Sequence, residues 1–191
     1  MKIGLYFGSF NPIHIGHLII ANHVVEETDL DQVWLVVSPQ NPLKPAVGLL
    51  NEYQRLHLVQ LAVEDNDKLR ASDIEFKMPR PSYTIDTLVY LQEKYPTHHF
   101  HIIMGSDSYS NISKWKNANI LIKDYNIIVY QRPEFLVKIS SATPTSIMIL
   151  NAPMLDISAT EIRNKIKRHK NIQYLVSEKV RIEIDKNGYY K

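Results

Sequence analysis

Three observations predict an α/β fold: a doubly wound parallel sheet with a small C-terminal helical segment. Apolar stretches of about five to seven residues alternate along the chain with segments of helical periodicity. Those stretches are apolar almost throughout, as strands covered on both faces are, so the sheet is parallel with helices on either side. The length of 191 residues suits one domain with a helical annex and allows a sizeable core without staples.

Residues 2–7 form the first buried strand, and 15–28 the helix that follows. A second apolar strand covers 32–38 and runs into the proline-rich loop 39–45. The helix over 52–64 has Leu56, Val59, Leu61 and Val63 as its apolar side. A short strand at 69–75 ends before the Pro79-Arg80-Pro81 break. The next helix, 84–95, turns Ile85, Leu88, Val89 and Leu91 inward and stops at Pro96. Strands follow at 99–104 and 125–130, with a weaker one at 146–150, and the chain from Ser158 onward is helical and polar. The core therefore covers 1–156 and the C-terminal helical segment 157–191.

Composition narrows the function classes. Lys and Arg number 22 against 20 Asp and Glu, a formal charge of +2. That balance is too weak to make a nucleic-acid backbone or an anionic membrane the main partner. The basic run Lys165-Ile166-Lys167-Arg168-His169-Lys170 reads as a solvated helix end. Cysteine is absent, which excludes disulfides, thiolate-held zinc and thiol catalysis and fits a cytoplasmic protein. No targeting segment is expected, and no apolar run approaches the roughly 18 residues of a membrane helix. The state of assembly, homo-oligomer or monomer, is not specified by the sequence.

Parallel sheets bind ligands beyond the carboxyl ends of their strands. After the first strand stands Gly8-Ser9-Phe10-Asn11-Pro12-Ile13-His14-Ile15-Gly16-His17. Gly8 and Ser9 suit a turn whose amides face outward, where a helix dipole adds attraction for an anion. His14 and His17 stand three apart and share one face of a helical first turn. Gly16 leaves room for close approach to the backbone. No Gly-Lys-Ser/Thr follows, so this is not a Walker loop, and Gly-x-Gly-x-x-Gly is absent. Two histidines without a third ligand make a poor zinc site.

The His14-Ile15-Gly16-His17 tetrad after a Gly-Ser-Phe-Asn-Pro turn resembles the His-x-Gly-His motif of the nucleotidyltransferase superfamily. A second superfamily motif stands roughly 140 residues on, as Ile157-Ser158-Ala159-Thr160-Glu161-Ile162-Arg163. Ser158 with Glu161 also reads as a capping box, which would expose helix-start amides beside Arg163. The intervening segments are similar to those of bacterial nicotinate-nucleotide adenylyltransferases over nearly the whole chain. They are 38–44, Arg55-Leu56, Pro81-Ser82-Tyr83-Thr84-Ile85-Asp86-Thr87-Leu88, Gly105-Ser106-Asp107, Lys114-Trp115 and Gln131-Arg132-Pro133. Asn11 stands where Asp is commoner in that family, and the loop 105–115 is rich in Ser and Asn.

The resemblance implies a Rossmann-like fold and the transfer of an adenylyl group from ATP to nicotinic acid mononucleotide, with Mg²⁺ bound mainly through the ATP phosphates. It assigns ATP to Gly8, Ser9, Phe10, His14, His17, Gly105, Asp107, Arg132, Ile157, Ser158 and Arg163. The acceptor falls to Asn11, Lys44, Tyr83, Thr84, Asn111 and Trp115. His14, His17, Lys44 and Arg163 are the expected catalytic group. Within that scheme His14 and His17 hydrogen-bond the donor's phosphates and Lys44 adds a mobile charge. Asp107 accepts from a ribose hydroxyl, Trp115 stacks on the pyridine ring, and the Thr84 amide receives the ring carboxylate. Three other readings stand beside this one. The acceptor is nicotinamide mononucleotide, or the chain is an inactive nucleotide-binding sensor, or His14 and His17 serve a metal hydrolase. The remaining histidines carry no functional pattern.

Overall fold

The computed structural model describes residues 1–40, 48–132, 135–137, 144–151, 153 and 156–191. Six strands form one sheet: β1 (Lys2–Gly8), β2 (Gln32–Val37), β3 (Leu69–Ser72), β4 (His99–Gly105), β5 (Asn126–Tyr130) and β6 (Ile147–Leu150). Their order is β3-β2-β1-β4-β5-β6, and every pairing is parallel. The direction of winding reverses between β1 and β4, so a crevice opens where Gly8 and Gly105 end their strands. The expected α/β, Rossmann-like sheet is what the chain forms.

Helices α1 (Ile15–Glu26), α2 (Glu52–Val63), α3 (Thr84–Lys94), α4 (Ser106–Tyr109), α5 (Ala118–Asp124), α6 (Ala159–Lys167) and α7 (Glu178–Asn187) surround the sheet. Alternate strand residues divide between two cores. One unites Tyr6, Val33, Leu35, Val37, Ile103 and Ile128 with buried residues of α1, α2, α6 and α7. The other unites Ile3, Leu5, Trp34, Val36, Ile102, Met104, Ile127 and Val129 with α3 and α5. Because the central strands β1, β2, β4 and β5 feed both cores, their residues are largely apolar at successive positions.

Several expectations need correction. The third strand stops at Ser72, and 74–77 tighten into a 3-10 turn that buries Glu75 and Phe76. On α2 the inward residues are Arg55, Leu58, Val59 and Val63, whereas Leu56 and Leu61 are only half-buried at the margin. On α3 Val89 faces outward at 46% exposure, and Thr87 takes an inward place beside Ile85, Leu88 and Leu91. The end of the chain is not uniformly polar. Ile162, Ile166, Ile172, Val176, Val180 and Ile184 are buried in the first core, and α7 packs on α2.

Candidate active site

Residues from β1, β4, β5, α3 and α6 line an open cleft of about 800 Å³ at the strand ends. Its floor is the loop 8–14. His14 is the N-cap of α1, in extended conformation, and not a residue of the helix. Its ring stacks on that of His17 with centroids 3.6 Å apart. The His14 amide donates to His17 Nδ1 at 3.3 Å. That bond leaves the proton of a neutral His17 on Nε2. His14 is buried, and its Nδ1 has no hydrogen-bond partner. Burial first, then the charge of Arg132, pulls its pKa down to about 4. The His14 ring is thus a neutral hydrogen-bonding group near pH 7 and not a cation.

Gly16 serves this stack. A Cβ there would lie 3.1 Å from His14 Nδ1, so the missing side chain makes room for the histidine ring and not for a flat ligand. The Ile15 amide is also taken, by the Leu175 carbonyl at 2.9 Å, so the helix start is less open to anions than its sequence suggests. Phe10 has a φ of 43°, a rare conformation for an aromatic residue. Its ring is 2% exposed and meets His17 edge-on at 5.1 Å, which leaves the backbone as its surface toward the cleft.

Arg55 holds this loop from beneath. It is fully buried, and its guanidinium donates to the carbonyls of Leu50, Ser9, Ser38 and Pro39. Burial draws its pKa down from the ordinary value. The loops leaving β1 and β2 are therefore tied to the start of α2 by one side chain. Asn11 donates to Gly48 O at 3.0 Å and accepts from the Leu50 amide at 3.1 Å, so its side chain latches a neighbouring segment. Lys44 and Pro133 lie outside the described residues.

Arg163, on α6, donates to Asn11 O at 2.7 Å and to Thr160 Oγ1 at 3.2 Å. Ser158 caps the helix by accepting from the Glu161 amide at 3.1 Å, and Ile157 and Ser158 line the cleft. At the ends of β4 and β5, Arg132 Nε stands 3.3 Å from Asp107 Oδ1. Arg132 also donates to Tyr130 Oη at 3.2 Å, whose oxygen lies 3.2 Å from Tyr6 Oη. The Arg132 amide donates to Ser106 Oγ at 2.8 Å. A Cβ on Gly105 would fall 2.3 Å from Asp107 Oδ1, so only glycine admits this arrangement.

The other wall carries Tyr83, Thr84, Asn111, Lys114, Trp115 and Lys116. Thr84 opens α3, where the Tyr83 carbonyl accepts from Asp86 and Thr87. The amides at the very start of a helix have no acceptor within it and suit an anion. Lys116 lies 4.9 Å over the Tyr83 ring and pairs with Asp86 at 2.7 Å. Asn111 is engaged on both sides, with Asp107 O at 3.0 Å and Lys114 Nζ at 2.8 Å. Trp115 is half-buried and ends a 3-10 turn, not an amphipathic helix.

The cleft thus collects every described residue expected at the site. It adds as supports Arg55 and Ser106, to which the sequence assigned no site role, together with Glu75 and Lys116, which it did not mark. Arg55 does appear in a matching segment, but no spacing shows that it is buried. Among the described residues no group of three His, Asp or Glu is placed to share a metal ion.

Comparison with known proteins bears on what this cleft handles. The cytidylyltransferase-like family matches residues 5–165. A relative from Flavobacterium psychrophilum, named "Probable nicotinate-nucleotide adenylyltransferase", is 53% identical over the full length of both chains. One of the same name from Flavobacterium johnsoniae is 51% identical, again over all of both. The Plasmodium falciparum nicotinic acid mononucleotide adenylyltransferase complexed with NaAD superposes with a TM-score of 0.82 at 22% identity, over 99% of this chain and 97% of that one.

Proposed function

From the premise that this chain belongs to the nicotinate-nucleotide adenylyltransferases, within the cytidylyltransferase-like family, we infer that it transfers the adenylyl group of ATP to nicotinic acid mononucleotide. The products are deamido-NAD and pyrophosphate. One observation carries the reading of the site. The stacked rings of His14 and His17, Arg132 and Arg163 meet at the winding reversal, and the start of α3 faces the same cleft.

An oxygen of the acceptor's phosphate attacks the α-phosphorus. The bond between the α-phosphorus and the oxygen that bridges to the β-phosphorus breaks, and its electron pair leaves on that oxygen with pyrophosphate. That phosphate is already ionised near pH 7, so the step needs no general base, and positioning and charge stabilisation carry the rate. His14 and His17 donate to the phosphates as charge builds on the leaving group. Arg132 and Arg163, joined by Lys44, hold the β- and γ-phosphates. Gly8, Ser9, Gly105, Ile157 and Ser158 shape the nucleotide's seat, and Asp107 exchanges part of its contact with Arg132 for a ribose hydroxyl. On the acceptor side, Trp115 and Tyr83 bracket the pyridine ring while the Thr84 amide receives its carboxylate.

Enzymes of this class generally use a divalent metal. With no cluster of protein carboxylates, the described residues suit Mg²⁺ carried on triphosphate oxygens and water. It would supply charge neutralisation of the phosphates. Residues 1–156 and 157–191 act as one domain in this scheme, since both line the cleft. We place the enzyme in the cytoplasm, whose reducing conditions suit a chain without cysteine.

The test is pyrophosphate release with ATP and each pyridine mononucleotide. The acid should give the higher kcat/KM. A higher value with the amide would reverse the acceptor assignment, and binding of ATP without turnover on either would show a sensor.

A further inference from the structure

Glu75 is the one fully buried carboxylate among the described residues, at 2% exposure. It sits in the 3-10 turn between β3 and α3 and borders the cleft. Ser82 Oγ donates to its Oε2 at 2.7 Å, and Thr87 Oγ1 donates to its Oε1 at 2.9 Å. The Ser38 side chain, beyond β2, is a third hydrogen-bond partner. Ser82 and Thr87 flank Tyr83 and Thr84, so one carboxylate grips the start of α3 on both sides.

Burying a carboxylate is costly, and an apolar side chain would fill the space at lower cost. Its hydroxyl partners supply what the retained charge-bearing group needs. A carboxylate offers about four acceptor positions, and three hydroxyls occupy most of them. Little acceptor capacity then remains for a ligand in the cleft. The ligand meets backbone donors at the head of α3 instead. Donors of that kind satisfy a ring carboxylate, but they leave the N–H groups of a ring amide facing other N–H groups.

We propose that Glu75 is a positioning residue for the acceptor's pyridine site: by holding Ser82 and Thr87 it fixes the start of α3, where Thr84 lines the cleft, and so sets the preference for a ring carboxylate over a ring amide. The proposal rests on the acceptor assignment above and names the residue that enforces it.

Steady-state rates with nicotinic acid mononucleotide and with its amide, each with ATP, test the point in wild type, Glu75→Ala, Glu75→Gln and Ser82→Ala. Glu75→Ala should raise KM for the acid at least tenfold and leave KM for ATP within twofold. Its ratio of kcat/KM for acid over amide should fall at least tenfold. Glu75→Gln and Ser82→Ala should shift the same ratio by a smaller factor. A merely structural role lowers both rates together and leaves the ratio alone. If Glu75→Ala does not fold, the other two variants decide, and an unchanged ratio in both overturns the proposal. A wild-type preference for the acid that survives in every folded variant overturns the role of Glu75 alone. A wild type without that preference overturns the acceptor assignment and the proposal together.

Discussion

His14 links burial to acidity. Its pKa is about 4 in the fold against 6.5 unfolded. Between those values the unfolded chain binds the proton more readily, so the stability due to the neutral ring is complete above pH 6.5. It declines as pH falls through about 4, by roughly 3 kcal/mol in all. Urea unfolding of wild type and His14→Gln from pH 8 to 4 should show the steeper decline in wild type, and parallel declines would remove the effect. The second histidine acts on the reaction. His17→Ala should lower kcat by about 100- to 1,000-fold, with ATP affinity changed far less, because its contact strengthens as pyrophosphate departs. Equal losses in both would make it a substrate-holding group only. Trp115→Ala should raise KM for the acceptor and leave that for ATP nearly unchanged. A rise confined to ATP would move the indole to the other subsite.

The loops after β1 and β2 depend on α2 through Arg55. Replacing it with Met leaves the carbonyls of Leu50, Ser9, Ser38 and Pro39 short of their donor, and each buried orphan costs about 1–3 kcal/mol. Arg55→Met should therefore lower the unfolding free energy by at least about 3 kcal/mol in urea titration. A loss under 1 kcal/mol would mean that water replaces the guanidinium. Elements of this kind divide what was legible from what was not. Period and apolar runs place all six strands and the long helices to within a few residues, because burial on both faces writes itself as continuous apolarity. The pair His14 and His17 and the cap Ser158 are legible for the same reason, since each is a local spacing. Glu75 reads as the end of a strand and Arg55 only as a helix residue within a matching segment, because their partners are distant hydroxyls and carbonyls. The pairings of Arg132 with Asp107, and of Asn11 with Gly48 and Leu50, depend likewise on how separate loops meet.

At the scale of the molecule, the C-terminal helices complete the core that supports the cleft. Val180 and Ile184 of α7 are fully buried in the first core, where α7 packs on α2. Ile184→Ala should cost about 2–4 kcal/mol by calorimetry, although α7 lends no residue to the lining of the cleft. An unchanged melting temperature would show that α7 is dispensable to the fold. Two bonds reach back from this part of the chain, Arg163 to the Asn11 carbonyl and the Leu175 carbonyl to the Ile15 amide. Translation delivers the histidines early and these partners late. A polypeptide still emerging from the ribosome therefore carries the histidine loop without these two ties and with one greasy side uncovered until residues 162–184 follow.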